Sequence, residues 1–206
     1  MKVLAISGSL RRDSYNTKLL RAAEELFPPE VDVVLYQGVK EVPPYDEEDD
    51  VQPAPMAVAA LRSAIGEADA VLFATPEYNS SIPGSLKNAL DWVSRPVATN
   101  PLRNKPVAVV GASTGAFGAV WAQAELRKVL AAIGARVVDG EVAVGHAPTR
   151  FDEDGRLEDE SLQEQLQETI EALLAETGAD ELMVVSDVYE HQARLRSFEL
   201  IAESVR

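Results

Sequence analysis

The chain has 206 residues, 46% of them hydrophobic, with no cysteine and a formal net charge of −15. That length suits one domain, or one domain with an appendage, and can supply a core of adequate size. The lack of cysteine excludes disulfides, thiolate catalysis, Cys-ligated zinc and iron–sulfur clusters, and agrees with a reducing compartment.

The excess acid sits late. Residues 151–206 carry 16 acids against 4 Lys and Arg, whereas residues 1–150 carry 18 against 15. Such a surface repels nucleic acid and anionic lipid, while the near balance of the first part permits an anionic cofactor there. No run approaches the roughly 18 apolar residues of a membrane helix, and the short apolar run after Lys2 is too brief for a signal-peptide core. A cytoplasmic location is therefore expected, with neither nucleic acid nor membrane as partner.

The first sixteen residues, MKVLAISGSLRRDSYN, read as strand, loop and helix start. Val3 to Ile6 are a short apolar run, as in a buried parallel strand, and Ser7-Gly8-Ser9 ends it. The loop then offers Arg charge and the hydrogen-bond donors of Ser and Asn, just where a following helix leaves its own N–H groups free, which suits a phosphate. It is neither a Walker A motif nor a Gly-x-Gly-x-x-Gly fingerprint. Ser14 or Asn16 equally suits a helix N-cap.

A second strand is predicted over 31–36. Residues 37–55 hold Pro43, Pro44, Pro53 and Pro55 and read as a long loop. Its acidic run, residues 46–50, reads as a solvated surface rather than a metal site. Helical spacing runs from Met56 to Ile65, and residues 68–74 form a third, unbroken apolar strand. The polar loop 75–84 leads into a helix over 86–92. A fourth strand spans 106–112, loop 113–118 follows, and a helix runs from 120 to 133. A fifth strand is predicted over 136–144 and an acidic amphipathic helix over 159–176. Strands alternating with helices imply a parallel sheet covered on both faces.

Loops 7–16, 75–84 and 112–118 each follow an apolar strand, so all would open on one edge of the sheet and make a cofactor site there. Pro76 and Pro83 stiffen the second loop, and Gly84 allows close approach. The chain has two histidines, His146 and His191, and neither falls in these loops. A side-chain acid–base triad is not expected there, and no catalytic side chain or metal ligand is assigned. Tyr78 suits ring stacking or an interface, Trp92 the core or a dimer contact, and His146 a structural or exposed position.

The loop from Gly8 to Asn16 resembles the FMN phosphate loop of the NAD(P)H-dependent FMN reductase family, the flavodoxin-like group that includes chromate and quinone reductases. The stretch PEYNSSIPGSLKNALDW, Pro76 to Trp92, is similar to that family's second motif, and the resemblance runs collinearly to about residue 150. It implies a flavodoxin-like, doubly wound α/β fold with a five-stranded parallel sheet. It also implies Ser9, Arg11, Ser14 and Asn16 on the FMN phosphate, and Pro76, Glu77, Tyr78 and Asn79 along the isoalloxazine edge. Ser113, Thr114 and Gly115 would close the other side. Ser80 stands where many relatives carry a bulky aromatic or His. NAD(P)H would be co-substrate, and the acceptor a small molecule: a quinone, azo compound, metal oxyanion or free flavin. The alternatives are a flavodoxin-like electron carrier and a supplier of reduced flavin to a monooxygenase. A homodimer or homotetramer is implied.

The expected division is a reductase domain over 1–177 and a strand–helix extension over 178–206. The extension is similar to the C-terminal end of luciferase-like monooxygenases, and Val188, Leu195, Phe198 and Ile201 fall on one face of its predicted helix.

Overall fold

Three strands are buried at nearly every position, and they set the frame: β1 (Lys2–Ser7), β3 (Ala70–Thr75) and β4 (Pro106–Ala112). Their unbroken apolar runs follow from having helices on both faces. In this computed structural model residues 1–178 are described. β2 (Asp32–Tyr36) is the edge strand beside β1, and every pairing in the sheet is parallel, in the order β2-β1-β3-β4-β5, with β5 at Arg136–Val137. A sixth strand, β6 (Ala143–Val144), also pairs with β4.

Neighbouring side chains along each strand point to opposite faces and so enter different cores. Leu4, Ile6, Val71, Phe73, Val107 and Val109 pack under α2 (Met56–Glu67), α3 (Gly84–Val93) and α4 (Val120–Ile133). Val3, Ala5, Leu72, Ala74, Ala108 and Val110 pack under α1 (Tyr15–Leu26) and α5 (Glu160–Ala175). The expected doubly wound α/β fold is present. The fifth strand is where it departs from expectation. Residues 136–144 divide into β5 (Arg136–Val137) and β6 (Ala143–Val144), and both pair with β4, at its start and at its end. Gly140, at φ 145, lies in the excursion between them.

The long loop after β2 is held rather than loose. Asn88 of α3 accepts from Tyr45 N at 2.7 Å and donates to Pro43 O at 2.8 Å. Trp92 is wholly buried, donates to the same carbonyl at 2.8 Å and meets Tyr45 edge to face. That places Trp92 in the core. Asp50, at the end of the acidic run, pairs with Arg62 at 3.0 Å, while Asp46 to Asp49 are exposed. The extension expected over 178–206 lies, from residue 179 onward, outside the described residues.

Replacing Asn88 with Ala leaves the Tyr45 N–H without its side-chain partner. A loss of about 1–3 kcal/mol is expected, read as a lower denaturation midpoint. A midpoint equal to the parent's would show that the loop does not depend on this bond.

Candidate active site

The loop after β1 is shaped by short-range contacts that leave several donors free. Gly8 N donates to Ala74 O at 2.8 Å, and a Cβ on Gly8 would lie 2.8 Å from a Leu86 methyl, so a larger residue would have to displace the Leu86 side chain. Ser7 Oγ accepts from Ser9 N and from Thr17 Oγ1. Ser14 is the N-cap of α1, where its hydroxyl oxygen accepts from Asn16 N and Thr17 N. Its own O–H remains to donate. Asn16 is buried and bonds β4 twice: Nδ2 donates to Ala112 O at 2.9 Å and Oδ1 accepts from Ala112 N at 3.0 Å. Arg11 lies over the Tyr15 ring at 5.3 Å, and Tyr15 in turn stacks on Phe151.

The second loop is a hairpin. Tyr78 N donates to Ser81 O and Ser81 N to Tyr78 O. Asn79 and Ser80, the two central residues, have φ of 54° and 60°, the combination a type I′ turn requires. Glu77, just before it, reaches across to α4. Its Oε2 accepts from Trp121 N at 3.1 Å and Ala122 N at 3.2 Å. That helix has no cap of its own, because its N-cap position is Ala119 in the left-handed region. A carboxylate from another loop therefore satisfies the free N–H groups and sits well against the helix dipole.

The third loop is fastened from behind by β6 and the residues after it. Ser113 N donates to Val144 O, Ala147 N to Ser113 O and His146 N to Gly115 O. Packing is close enough that a Cβ on Gly118 would lie 2.3 Å from the Ala143 carbonyl carbon. The loop's carbonyls are engaged in this way, while the Thr114 and Gly115 N–H groups make no hydrogen bond among the described residues.

The three loops enclose a cleft of about 270 Å3 lined by Ser9, Arg11, Ser14, Asn16, Pro76, Glu77, Tyr78, Ser113 and Thr114, with Tyr15 and Ala112. Of the residues expected at the site, Asn79 and Gly115 are outside this lining: Asn79 forms the hairpin tip and Gly115 is the next residue along the third loop. His146 is exposed and also outside it, bracing the third loop through its backbone. The donor set fits FMN. One end offers a guanidinium, a serine O–H and the second amide hydrogen of Asn16, as a phosphate needs. The other offers backbone N–H groups and the exposed Tyr78 ring, as a flavin edge needs.

Two structural roles escape a reading of the sequence alone. Asn16 and Glu77 are donor or acceptor types in suitable loops, yet each also bonds a backbone far along the chain. Only the missing cap on α4, visible as Ala119 before the helix, hints at the second.

Glu77→Ala removes a cap and is expected to cost about 0.5–2 kcal/mol. Glu77→Gln, which keeps an acceptor oxygen, should recover most of it. Equal thermal stability of all three proteins would show that the contact does not hold α4 to the second loop.

Residues 1–149 match the family model described as NADPH-dependent FMN reductase. An NAD(P)H-dependent FMN reductase of Pseudomonas aeruginosa is 44% identical over 174 residues, 84% of this chain and 93% of that protein. A quinone reductase of Pseudomonas putida is 38% identical over 160 residues, covering 77% of this chain and 86% of its own. Among solved structures, an NAD(P)H:acceptor flavoenzyme of Paracoccus denitrificans superposes with a TM-score of 0.75 at 34% identity, over 85% of this chain and 96% of that one. With its parallel sheet, the cleft at the sheet's carboxyl edge and these matches, the chain belongs to the NADPH-dependent FMN reductase family, as a flavin oxidoreductase with FMN as cofactor and NAD(P)H as electron donor.

Proposed function

We propose that the enzyme reduces quinones at the expense of NAD(P)H. One observation carries this reading. The cleft at the carboxyl edge of β1, β3 and β4 joins a phosphate-type donor cluster to an exposed aromatic mouth, with no histidine in its lining. It is built to hold a flavin and leave one ring face accessible. FMN, when bound, supplies the two-electron relay between nicotinamide and acceptor. The protein's part is to bind and orient. Arg11 and the Ser14 O–H hold the phosphate, aided by Ser9 and Asn16. Pro76, Glu77, Tyr78 and Asn79 keep one edge of the ring in place, and Ser113, Thr114 and Gly115 close the other side. The Thr114 and Gly115 N–H groups stabilise negative charge as it develops. In balance, NAD(P)H gives up a hydride, a solvent proton joins it, and the quinone leaves as hydroquinone. Donor and acceptor use the same face in turn, so the kinetics are ping-pong. The choice of quinone over azo compound, metal oxyanion or free flavin draws on relatives described as quinone reductases.

Assembly is part of the proposal. Phe117 and Trp121 form an edge-to-face pair at 5.0 Å and are 63% and 49% exposed, beside the capped start of α4; Tyr78 is 54% exposed. Large aromatics exposed together suit a subunit contact, and a homodimer or homotetramer would cover them. We also place the redox chemistry within residues 1–177. The loops that line the cleft end by residue 118 and their brace by 147, so removal of residues 178–206 should leave FMN bound and reducible.

Three measurements check this. Arg11→Ala removes a charge-assisted bond of roughly 1.5–3 kcal/mol, so FMN affinity should fall about ten- to hundredfold in a flavin titration. An unaltered affinity would remove Arg11 from the phosphate site. Steady-state assays with NAD(P)H should give parallel double-reciprocal lines with benzoquinones and higher kcat/KM than with azo dyes, chromate or free FMN. Preference for any of those acceptors would overturn the quinone assignment. Light scattering should give at least a dimer, and a fully active monomer would contradict the subunit contact.

A further inference from the structure

The outer partner of β4 breaks off after Val137 and resumes at Ala143, and α4 sends two polar side chains, one helical turn apart, into the break. Arg127 donates to Val109 O at 2.9 Å and also to Gly140 O. It serves the β4 carbonyl that lies between Val107 O, which accepts from Val138 N, and Gly111 N, which donates to Val142 O. Gln123 is wholly buried, and its Nε2 donates to Gly118 O at 3.1 Å and to Val142 O at 3.2 Å. Gly111 makes room for that amide: a Cβ there would lie 2.9 Å from Gln123 Nε2 and 3.0 Å from Thr75 O. Gln123 Oε1 is buried with no hydrogen-bond partner among the described residues.

The two side chains differ in reach. Arg127 mends the edge of the sheet and makes no hydrogen bond to the third loop. Gln123 clasps the far end of that loop, Gly118, to the residue before β6, while Ser113 at the near end is held by Val144 and Ala147. Between these two holds lie the Thr114 and Gly115 N–H groups. A bare buried acceptor is costly, and an apolar side chain of the same length would not carry one. An amide kept there at that cost points to its two donated bonds as what the position requires. We propose that Gln123 is a positioning residue: by fixing the far end of loop 113–118 it aims the Thr114 and Gly115 N–H groups, so that the site holds reduced, negatively charged flavin more tightly than oxidised flavin. The inference rests on the reading that these N–H groups face the flavin.

The test compares the full-length, FMN-loaded parent with Gln123→Met and Arg127→Met. Methionine matches glutamine in length and has no N–H to donate. In Gln123→Met, reduced FMN should bind at least tenfold more weakly relative to oxidised FMN, read as a midpoint potential at least about 30 mV more negative. Hydrogen exchange should quicken over residues 113–118 and 142–147. Arg127→Met should lower the thermal midpoint and leave the potential at the parent's value. An equal shift of potential in Arg127→Met would make the effect a general loosening of the sheet edge and overturn the assignment. So would Gln123→Met with both potential and exchange unchanged. Faster exchange at an unchanged potential would instead remove the Thr114 and Gly115 N–H groups from the flavin, and this inference would fall with that reading. Should Gln123→Met not fold, Gln123→Leu carries the same test.

Discussion

The site depends on one buried amide. Asn16 sits in the first turn of α1 and holds both the N–H and the C=O of Ala112, at the last residue of β4. β3 lies between β1 and β4 in the sheet, so this contact spans the gap over which a flavin would lie. A buried side chain that satisfies two backbone groups fixes distance and orientation together, because leaving either group bare in the interior is costly. The phosphate loop and the third loop are thereby set relative to each other before any ligand arrives.

The remaining contacts extend that constraint. Gly8 ties the first loop to the end of β3, Glu77 ties the second loop to α4, and residues 144–147 hold the third loop from behind. The three walls are fixed by backbone hydrogen bonds and by side chains turned toward backbone. On the proposed reading, such a site would bind a planar cofactor by prior organisation. The exposed parts, Tyr78, Phe117 and Trp121, are where the proposed acceptor and subunit contact would lie.

Much of this was legible in the sequence. β1, β3 and β4 announced themselves as unbroken apolar runs because both their faces are covered, and a polar loop after each marked the ligand edge. Position 136–144 misleads because its two strands are two residues long, too short to show a period, and Asp139-Gly140-Glu141 between them is the excursion that divides them. Trp92, which reads as core or dimer contact, is core. Asn16 reads as a phosphate ligand or an N-cap and Glu77 as a flavin-edge residue or one that shapes its loop or a dimer contact; neither reading reaches their backbone partners, 96 and 44–45 positions away, because no local pattern reports a contact at that range.

The central claim is that the flavin site is assembled by the Asn16–Ala112 contact. It is tested most directly by titrating FMN into Asn16→Ala, with circular dichroism confirming that the variant is folded. The account predicts at least a tenfold loss of FMN affinity even though Arg11 and Ser14 remain, because the two loops lose their common anchor. A folded Asn16→Ala protein that binds FMN as tightly as the parent would contradict it.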